Sequence, residues 1–480
     1  MKSLFAAASA ALVLVGFAAP ARANECVGGV CSLPVPTSAV EKSLDAQAAP
    51  SAREIQSSVD SYLASARSDA SLVGGCGQAG YDGGFWIRGG TFLMKINLTI
   101  QTRWEGFQWN DEPASPAPGG DLSGFSLPRV TLKFSGDATC DIHYYAELEF
   151  GHSGSTFDNT RGRGSLAFTL GDFDKNNLAA PTGPTIDFGI AREAWIEYEA
   201  APQLAVRMGL IKTATTRQLM TPPEMQQFVD VSLASAYVGT TMPGYTDRNR
   251  DYGIMIHGGL GCDGEWQYLL TVTNGDGVKH RNVLDGRTDD PMAYSARINW
   301  DIMGHMGYEE GALRQRSCDW TASLGAWVHY FQDHFLENLL VERGTRLTWG
   351  VDGAVGWGGF SLTAAYNSTK LDKTPGTASD FDGSSYLVQL GYLFPDTAWE
   401  VAARYDSYTH DPIGATKFGA TEYGFAVNYY IDGHADKITV DYSMITADNN
   451  GNPLGDTYAG YNSTGTSDAT LLRLQWQLAL

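Results

Sequence analysis

The chain has 480 residues, a formal net charge of −21 at pH 7 and a mean hydropathy of −0.20. This acidic balance argues against nucleic acid as a partner. Beyond the N-terminal stretch the sequence has no run of about 18 apolar residues, which excludes a helical membrane protein. The 55 glycines and the 11% of aromatic residues are typical of an all-β chain with many tight turns.

The first residues predict a secretory signal peptide. Lys2 precedes an apolar, Ala-rich run from Phe5 to Phe17, and Ala21-Arg22-Ala23 has the small-residue pattern of a cleavage site. The apolar run is too short to span a membrane as a helix. We therefore expect residues 1–23 to be removed on export, with a retained membrane anchor as the alternative.

Residues 24–84 are predicted to form an N-terminal extension. Its first part, residues 33–51, is rich in Pro, Ser and Ala and has the composition of a linker. Residues 52–67 then place apolar side chains at helical spacing, which predicts a short amphipathic helix. Two alternatives stay open for this helix: association with copies of itself, or packing on the rest of the chain.

Sixteen later segments alternate as β-strands do, with successive side chains on opposite faces. The last segment shows the pattern most clearly, since Leu472, Leu474 and Trp476 share one parity while Arg473 and Gln475 share the other. The predicted strands are residues 91–108, 125–135, 141–151, 190–199, 203–212, 251–260, 265–274, 292–301, 320–331, 346–357, 360–369, 385–394, 399–409, 422–431, 437–446 and 469–480.

The faces and links of these strands predict the fold class. An apolar outer face with a polar inner face is typical of barrels in the bacterial outer membrane, as is the alternation of short turns with long polar loops. The link after the eighth strand, residues 302–319, is the exception, because it is long on the short-turn side. The sequence predicts an all-β fold: a 16-stranded antiparallel transmembrane β-barrel over residues 85–480, with a short helical periplasmic N-terminal extension.

The six cysteines all fall on the periplasmic side of this topology. An even number of cysteines in an exported chain suggests disulfides, and their spacing is not that of a metal site. We expect neighbouring turns at the rim to supply two pairs and the extension to supply a local one. The expected pairs are Cys262–Cys318, Cys76–Cys140 and Cys26–Cys31.

Charged side chains line the predicted inner face. Guanidinium groups bind phosphate in a bidentate fork and lysine supplies a point charge, so a row of such residues would attract anions. The same parity holds slightly more acidic residues, and the predicted lumen is therefore mixed in charge. The inward basic residues are Lys95, Arg103, Arg129, Lys133, Arg207, Arg297, Arg404, Lys437 and Arg473.

Three short segments carry a family resemblance: FSLPRVTLKFSG at Phe125–Gly136, REAWIEY at Arg192–Tyr198 and RMGLIK at Arg207–Lys212. In order and spacing these segments are similar to the phosphate-selective porin O and P family of outer-membrane barrels. The chain departs from the family at Pro128, where an Arg-Arg pair is usual, and at Leu480, where such barrels usually end in Phe.

The resemblance implies that the loop after the fifth strand, residues 213–250, folds inward and narrows a channel. An ordinary extracellular loop is the alternative. The resemblance also implies a homotrimer and a channel for small ions and solutes such as phosphate. The loop residues expected to face the lumen are Arg217, Glu224, Asp230, Arg248 and Arg250.

No catalytic motif stands out in the sequence, and neither a cofactor nor a metal is expected. The sequence thus predicts a porin surrounded by outer-membrane lipid, which passes small ions and solutes with weak selectivity and catalyses no reaction. A preference for anions or phosphate stays open. The alternative is a barrel with a closed lumen that acts as a surface-binding protein or an enzyme.

Overall fold

The computed structural model describes residues 77–109, 122–150, 191–241, 249–261, 264–275, 292–311, 320–337, 340–373, 380–412, 417–448 and 468–480. The predicted signal peptide, the helix at 52–67, Arg248 and every cysteine except Cys140 lie outside these residues. Expectations about those parts of the chain stay predictions.

The described residues are mostly β-structure. Between β7 and β8 lie α1 (Arg217–Met220), a 3₁₀ turn (Pro223–Met225) and α2 (Leu233–Thr241). No helix in the described ranges is both long and apolar enough to cross a membrane. The strands are β1 (Gly77–Tyr81), β2 (Phe85–Gly89), β3 (Phe92–Trp109), β4 (Leu122–Asp137), β5 (Ile142–Glu149), β6 (Ala191–Ala201), β7 (Leu204–Lys212), β8 (Arg250–Leu260), β9 (Trp266–Thr273), β10 (Ala293–Met303), β11 (Thr321–Glu337), β12 (Leu340–Trp357), β13 (Phe360–Lys373), β14 (Phe381–Leu393), β15 (Trp399–Pro412), β16 (Phe418–Asp432), β17 (Asp436–Asp448) and β18 (Ala469–Ala479).

Strands β3 to β18 form a closed antiparallel barrel. Each strand pairs with the next in sequence, and β18 pairs back with β3, from Ala469 opposite Trp109 to Ala479 opposite Thr99. Closure leaves no sheet edge unpaired, which a strand-built membrane protein requires because lipid offers the backbone no hydrogen bonds. The predicted sixteen-stranded barrel is confirmed.

A hairpin of β1 and β2 precedes the barrel and extends its sheet. β2 pairs with the start of β3, from Gly89 opposite Phe92 to Phe85 opposite Ile96, just beyond the point where β18 ends. The sequence analysis placed residues 77–84 in the extension. The short, glycine-containing segment GQAGY of β1 lacks the apolar alternation that marks the other strands.

The two faces of β18 show how the alternation is used. Leu474 and Trp476 are 46% and 57% exposed on the outside, whereas Arg473, Gln475 and Gln477 are buried on the inside. An exposed apolar face is stable only against lipid, and a buried polar face needs polar partners. The outside of the barrel is thus a membrane surface, and its inside is a polar lumen.

Tryptophans on the outer face gather near the ends of strands that are joined by short turns. Trp266 and Trp300 stack with ring centroids 4.9 Å apart, and Trp320 stacks on Trp357 at 5.0 Å. Amphipathic rings favour the boundary between lipid tails and water. These pairs therefore mark the periplasmic membrane interface.

One predicted loop is largely strand. The sequence analysis placed a long connection between residues 331 and 346, but β11 runs to Glu337 and β12 begins at Leu340, paired along their full length. The sequence of this segment includes charged residues such as Asp333 and Arg343. Above the lipid a strand needs no apolar face, so the alternation that reveals a strand is lost although the pairing continues.

Cys140 lies in the turn between β4 and β5 and is disulfide-bonded. Its partner belongs to the part of the chain outside the described residues. The three expected cysteine pairs stay predictions.

Candidate functional site: the constriction loop in the lumen

The chain between β7 and β8 folds into the barrel. From Thr213 to Tyr237 nearly every residue is buried, and Ala214, Thr215, Ser232 and Ala234 have no exposed surface. We call residues 213–241 the constriction loop. Backbone buried at this depth needs hydrogen-bond partners, and the inner face of the barrel wall supplies them.

Apolar contacts hold the last part of the constriction loop against the wall. Leu233, Tyr237 and Val238 of α2 belong to one buried cluster with Tyr408 of β15 and Leu471 of β18. The rings of Tyr237 and Tyr408 stack with centroids 4.9 Å apart. Burying side chains of this size contributes about 1.5–3 kcal/mol each, so α2 is firmly attached inside the lumen.

Acidic residues of the wall accept hydrogen bonds from backbone N–H groups of the loop. This use of carboxylates explains why the inner face carries more acidic than basic residues: a buried carboxylate is stabilised by N–H donors as well as by cations. The pairs are Arg217 N to Asp352 Oδ2 at 3.0 Å, Val229 N to Asp441 Oδ2 at 3.1 Å and Ala234 N to Asp406 Oδ1 at 2.9 Å.

Asp230 is the charged centre of the loop. Its carboxylate accepts hydrogen bonds from Arg103 at 2.8 Å, Arg129 at 3.0 Å and Arg473 at 3.3 Å. Its backbone oxygen accepts one from Arg404 at 3.0 Å. Four arginines from β3, β4, β15 and β18 thus converge on one loop residue, although the sequence separates them by as many as 370 positions.

Three of these arginines also have carboxylate partners on the wall. Arg473 binds Asp441 through two nitrogens, each at 2.7 Å, and Arg404 binds Glu422 at 2.7 Å. Arg103 binds Glu105 at 2.9 Å. The guanidinium groups are therefore neutralised in place.

A second ion pair lies where the loop begins. Arg297 of β10 binds Asp352 of β12 through two hydrogen bonds of 2.7 Å, and both side chains are almost completely buried. Arg297 also donates to the backbone oxygen of Thr215 at 2.7 Å. Arg217, which the sequence analysis expected to face the lumen, donates to the backbone oxygen of Gly307.

Two lysines bind the middle of the loop. Lys133 of β4 forms an ion pair with Glu224. Lys437 of β17 donates to the backbone oxygen of Gln226 at 2.5 Å. Both lysines belong to the predicted inward set, and both are fixed by the loop rather than exposed to a wide lumen.

Glycines on the wall make room for loop side chains. A Cβ atom would overlap the loop side chain at Gly383 and Gly391 and would make a tight contact at Gly424, which explains why an otherwise regular strand contains glycine. The wall glycines and their loop neighbours are Gly383 with Tyr237, Gly391 with Gln227, and Gly424 with Phe228.

The opposite wall, β5 to β8, carries a separate group of charges. Arg192 lies 3.3 Å from both Glu147 and Glu149, and Arg250, the first residue of β8, lies 2.8 Å from Glu193. These pairs belong to the wall itself rather than to the loop. Lys212 reaches the loop and donates to Met220 O at 3.2 Å.

A small cavity lies between the loop and this wall. It measures about 10 Å³, room for one water-sized sphere, and the basic residues of β6 to β8 meet the loop across it. It is lined by Arg192, Lys212, Gln218, Leu219, Thr221, Pro223, Gln226, Val231 and Arg250.

Arg192 and Lys212 are absent from the predicted inward set. The pairing of β5 with β6 shifts between Glu147 and Leu148, and Arg192 lies at this irregularity, where the strict parity of the strand is interrupted. Lys212 lies at the end of β7, where the loop begins. The register shift at Arg192 is visible only in the structure, so parity in the sequence could not have located this residue.

The two remaining predicted basic residues lie away from the loop. Arg207 of β7 binds Glu197 at 2.7 Å and stacks over the ring of Trp195 at 3.7 Å. Lys95 is half-buried near the periplasmic end of β3, opposite Ser135. The structure thus brings most of the predicted set together around the loop and leaves these two below it.

Comparison with known proteins gives a match to one family model over part of the chain and a likeness of fold. The sequence model of the phosphate-selective porin O and P family matches residues 328–478, the stretch from β11 to β18. Among curated protein sequences, none matches the chain significantly.

Two solved structures share the fold. The anion-selective porin from Comamonas acidovorans has a TM-score of 0.51 and 12% identity, covering 81% of this chain and 99% of that chain. The high-pH structure of Pseudomonas putida OprB has a TM-score of 0.52 and 10% identity, covering 81% and 94%. At such low identity the likeness concerns the arrangement of the chain alone.

Proposed function

We infer from the family match and the closed barrel that this chain is a bacterial outer-membrane porin related to phosphate-selective porins O and P, and we propose that it passes small ions and solutes by diffusion without catalysing a reaction. The observation that carries the proposal is the position of the constriction loop. Hydrogen bonds attach the loop to β3, β4, β10, β15 and β18, among other strands. On the opposite side Lys212 adds one bond, and a cavity lies between the loop and β6 to β8.

We expect solutes to pass on the cavity side. There Arg192, Lys212 and Arg250 face the loop across the cavity. Thermal motion of the loop would widen this narrow passage, whereas on the other side many buried hydrogen bonds would have to break. The passage is therefore expected to exclude large solutes.

The pairing of charges supports weak selectivity. Most of the nine predicted inward basic residues bind a carboxylate, and a neutralised guanidinium attracts a passing anion less than a free one does. A continuous ladder of free cations, as strong phosphate selection would require, is not what the described lumen offers. Arg192 and Arg250 at the cavity are paired with carboxylates as well, so any anion preference is expected to come from Lys212, which donates to a backbone oxygen.

Two measurements test this function. Liposomes that contain the purified protein should swell in small sugars and swell progressively less as the sugar grows, because the constriction limits size. The reversal potential in a salt gradient should be small. A clearly cationic reversal potential would exclude anion preference, and liposomes that do not swell in any solute would refute the channel itself.

Burial of the inner wall favours a second candidate function. Glu400, Asp406, Asn428 and Asp441 have no exposed surface beneath the loop. A lumen closed over its whole section would leave a surface-binding protein or an enzyme rather than a channel. This candidate predicts no swelling and no conductance for the same folded, heat-modifiable protein.

We further propose that three copies associate in the outer membrane, as the family resemblance implies. The apolar outer wall offers surface to lipid and to neighbouring copies alike. Native mass spectrometry in detergent should show a trimer that dissociates to monomers on heating. A mass of one chain at all detergent concentrations would contradict this assembly.

A further inference from the structure

The link between β10 and β11 turns into the lumen from the periplasmic side. Gly304, Gly307 and Gly311 have positive φ angles of 58°, 60° and 84°, which let the chain reverse where other residues would be strained. At its end, Glu310 is only 3% exposed. We call residues 304–311 the strut.

The carboxylate of Glu310 joins the strut to the constriction loop and to the wall. Its Oε1 accepts a hydrogen bond from Gln218 Nε2 at 2.9 Å, and its Oε2 accepts bonds from Gln227 N and Gln389 Nε2, both at 3.0 Å. The backbone N–H of Glu310 donates to Met225 O at 3.0 Å. Two loops that enter the barrel from opposite sides therefore meet at one buried carboxylate.

The strut is itself fixed to the barrel. The hydroxyl of Tyr308 accepts hydrogen bonds from Arg297 at 3.1 Å and Asn299 at 2.7 Å, both on β10. His434, in the turn after β16, donates to Glu310 O at 3.2 Å. Burial lowers the pKa of His434, so the imidazole is neutral at pH 7 and suited to this bond. The strut is thus a rigid support rather than a passive turn.

We propose that the strut positions the constriction loop, with Glu310 as the positioning residue that sets the width of the solute path. Hydrogen bonds to a charged group are stronger than those between neutral groups, and Glu310 makes such bonds to two loop residues nine positions apart. Without them the underside of the loop loses its support from the periplasmic side. The inference rests on the proposed channel function.

Three variants test the strut in single-channel recordings. Glu310→Ala removes the carboxylate. Gln218→Glu is the sharper change, because Gln218 Oε1 accepts from Ser232 and only Nε2 faces Glu310. The variant keeps the acceptor and places a second carboxylate against Glu310. The control is Asp372→Ala, which removes a carboxylate from an exposed ion pair with Lys370 outside the strut.

The expected result is a rise of about twofold in unitary conductance with greater current noise for Glu310→Ala and Gln218→Glu, because the constriction limits conduction. Asp372→Ala should conduct as the unmodified protein does. Heat-modifiable gel mobility checks that each barrel is folded. Should Glu310→Ala fail to fold, Gln218→Glu decides the outcome. Unchanged conductance in a folded variant would overturn the strut but not the channel, whereas an unmodified protein that never conducts would overturn the channel.

Discussion

Replacing Asp230 by asparagine removes the one carboxylate on which Arg103, Arg129 and Arg473 converge. Arg103 retains Glu105, and Arg473 retains its two bonds to Asp441. Breaking a buried ion pair costs about 3–5 kcal/mol because the opposite charge stays buried. Here the substitution weakens the attachment of the loop to the wall and leaves the barrel intact, since the strands keep their own pairing.

The substitution also leaves the lumen one unit more positive. We expect the reversal potential of Asp230→Asn to move towards anion preference, and to move most at low salt, where screening reaches about 30 Å at 10 mM. The matched control is Asp372→Asn, which removes the same charge from an exposed ion pair with Lys370. A reversal potential that does not change at low salt, in a folded Asp230→Asn barrel, would refute the role given to Asp230.

Three further substitutions probe the wall. Gly391→Ala places a methyl group against a loop side chain and should weaken the attachment of the loop by about 1–3 kcal/mol. Single-channel recordings should then show added current noise. The control is Gly89→Ala, which has open space at its Cβ position and should have no effect. Leu474→Arg puts a charge on the lipid face and should destabilise insertion by about 2–4 kcal/mol, measured by folding into liposomes, where Leu474→Ala is the control. Asp352→Asn breaks the buried pair with Arg297 and should lower the free energy of unfolding by about 3–5 kcal/mol. The measurement is the temperature at which the folded band on a gel changes to the mobility of the unfolded protein, and an unchanged temperature would contradict this expectation.

The sequence predicts the barrel well because membrane strands repeat one local rule. A strand such as β18 must alternate wherever it crosses lipid, and each of the sixteen strands can be located from its own residues. The rule fails where lipid is absent. The pairing of β11 with β12 continues to Glu337 and Leu340, past the residues whose sequence alternates, and β1 is too short to show a pattern.

The site could be predicted only in part, because its contacts join distant positions. The parity rule identifies Arg103 and Arg473 as inward residues but cannot show that both bind Asp230, which lies 127 positions from one and 243 from the other. It also misses Arg192, which lies at a register shift. A one-dimensional count of charges suggested a mixed lumen; the structure shows that these charges pair with each other and with backbone N–H groups of the loop.

The strut illustrates a different limit. Its unusual length on the short-turn side is visible in the sequence, but the burial of Glu310 depends on where the constriction loop lies. The sequence of one loop alone does not indicate where the other loop lies. Contacts between two irregular segments follow no periodicity, and the fold of both is needed to find them.

Single-channel recording of the unmodified protein in a planar bilayer tests the central claim most directly. The account predicts discrete conductance steps that persist under an applied voltage and are small for a sixteen-stranded barrel, because the constriction loop is buried inside the lumen. A folded, membrane-inserted protein that gives no steps at any salt concentration would contradict the claim and favour a closed barrel.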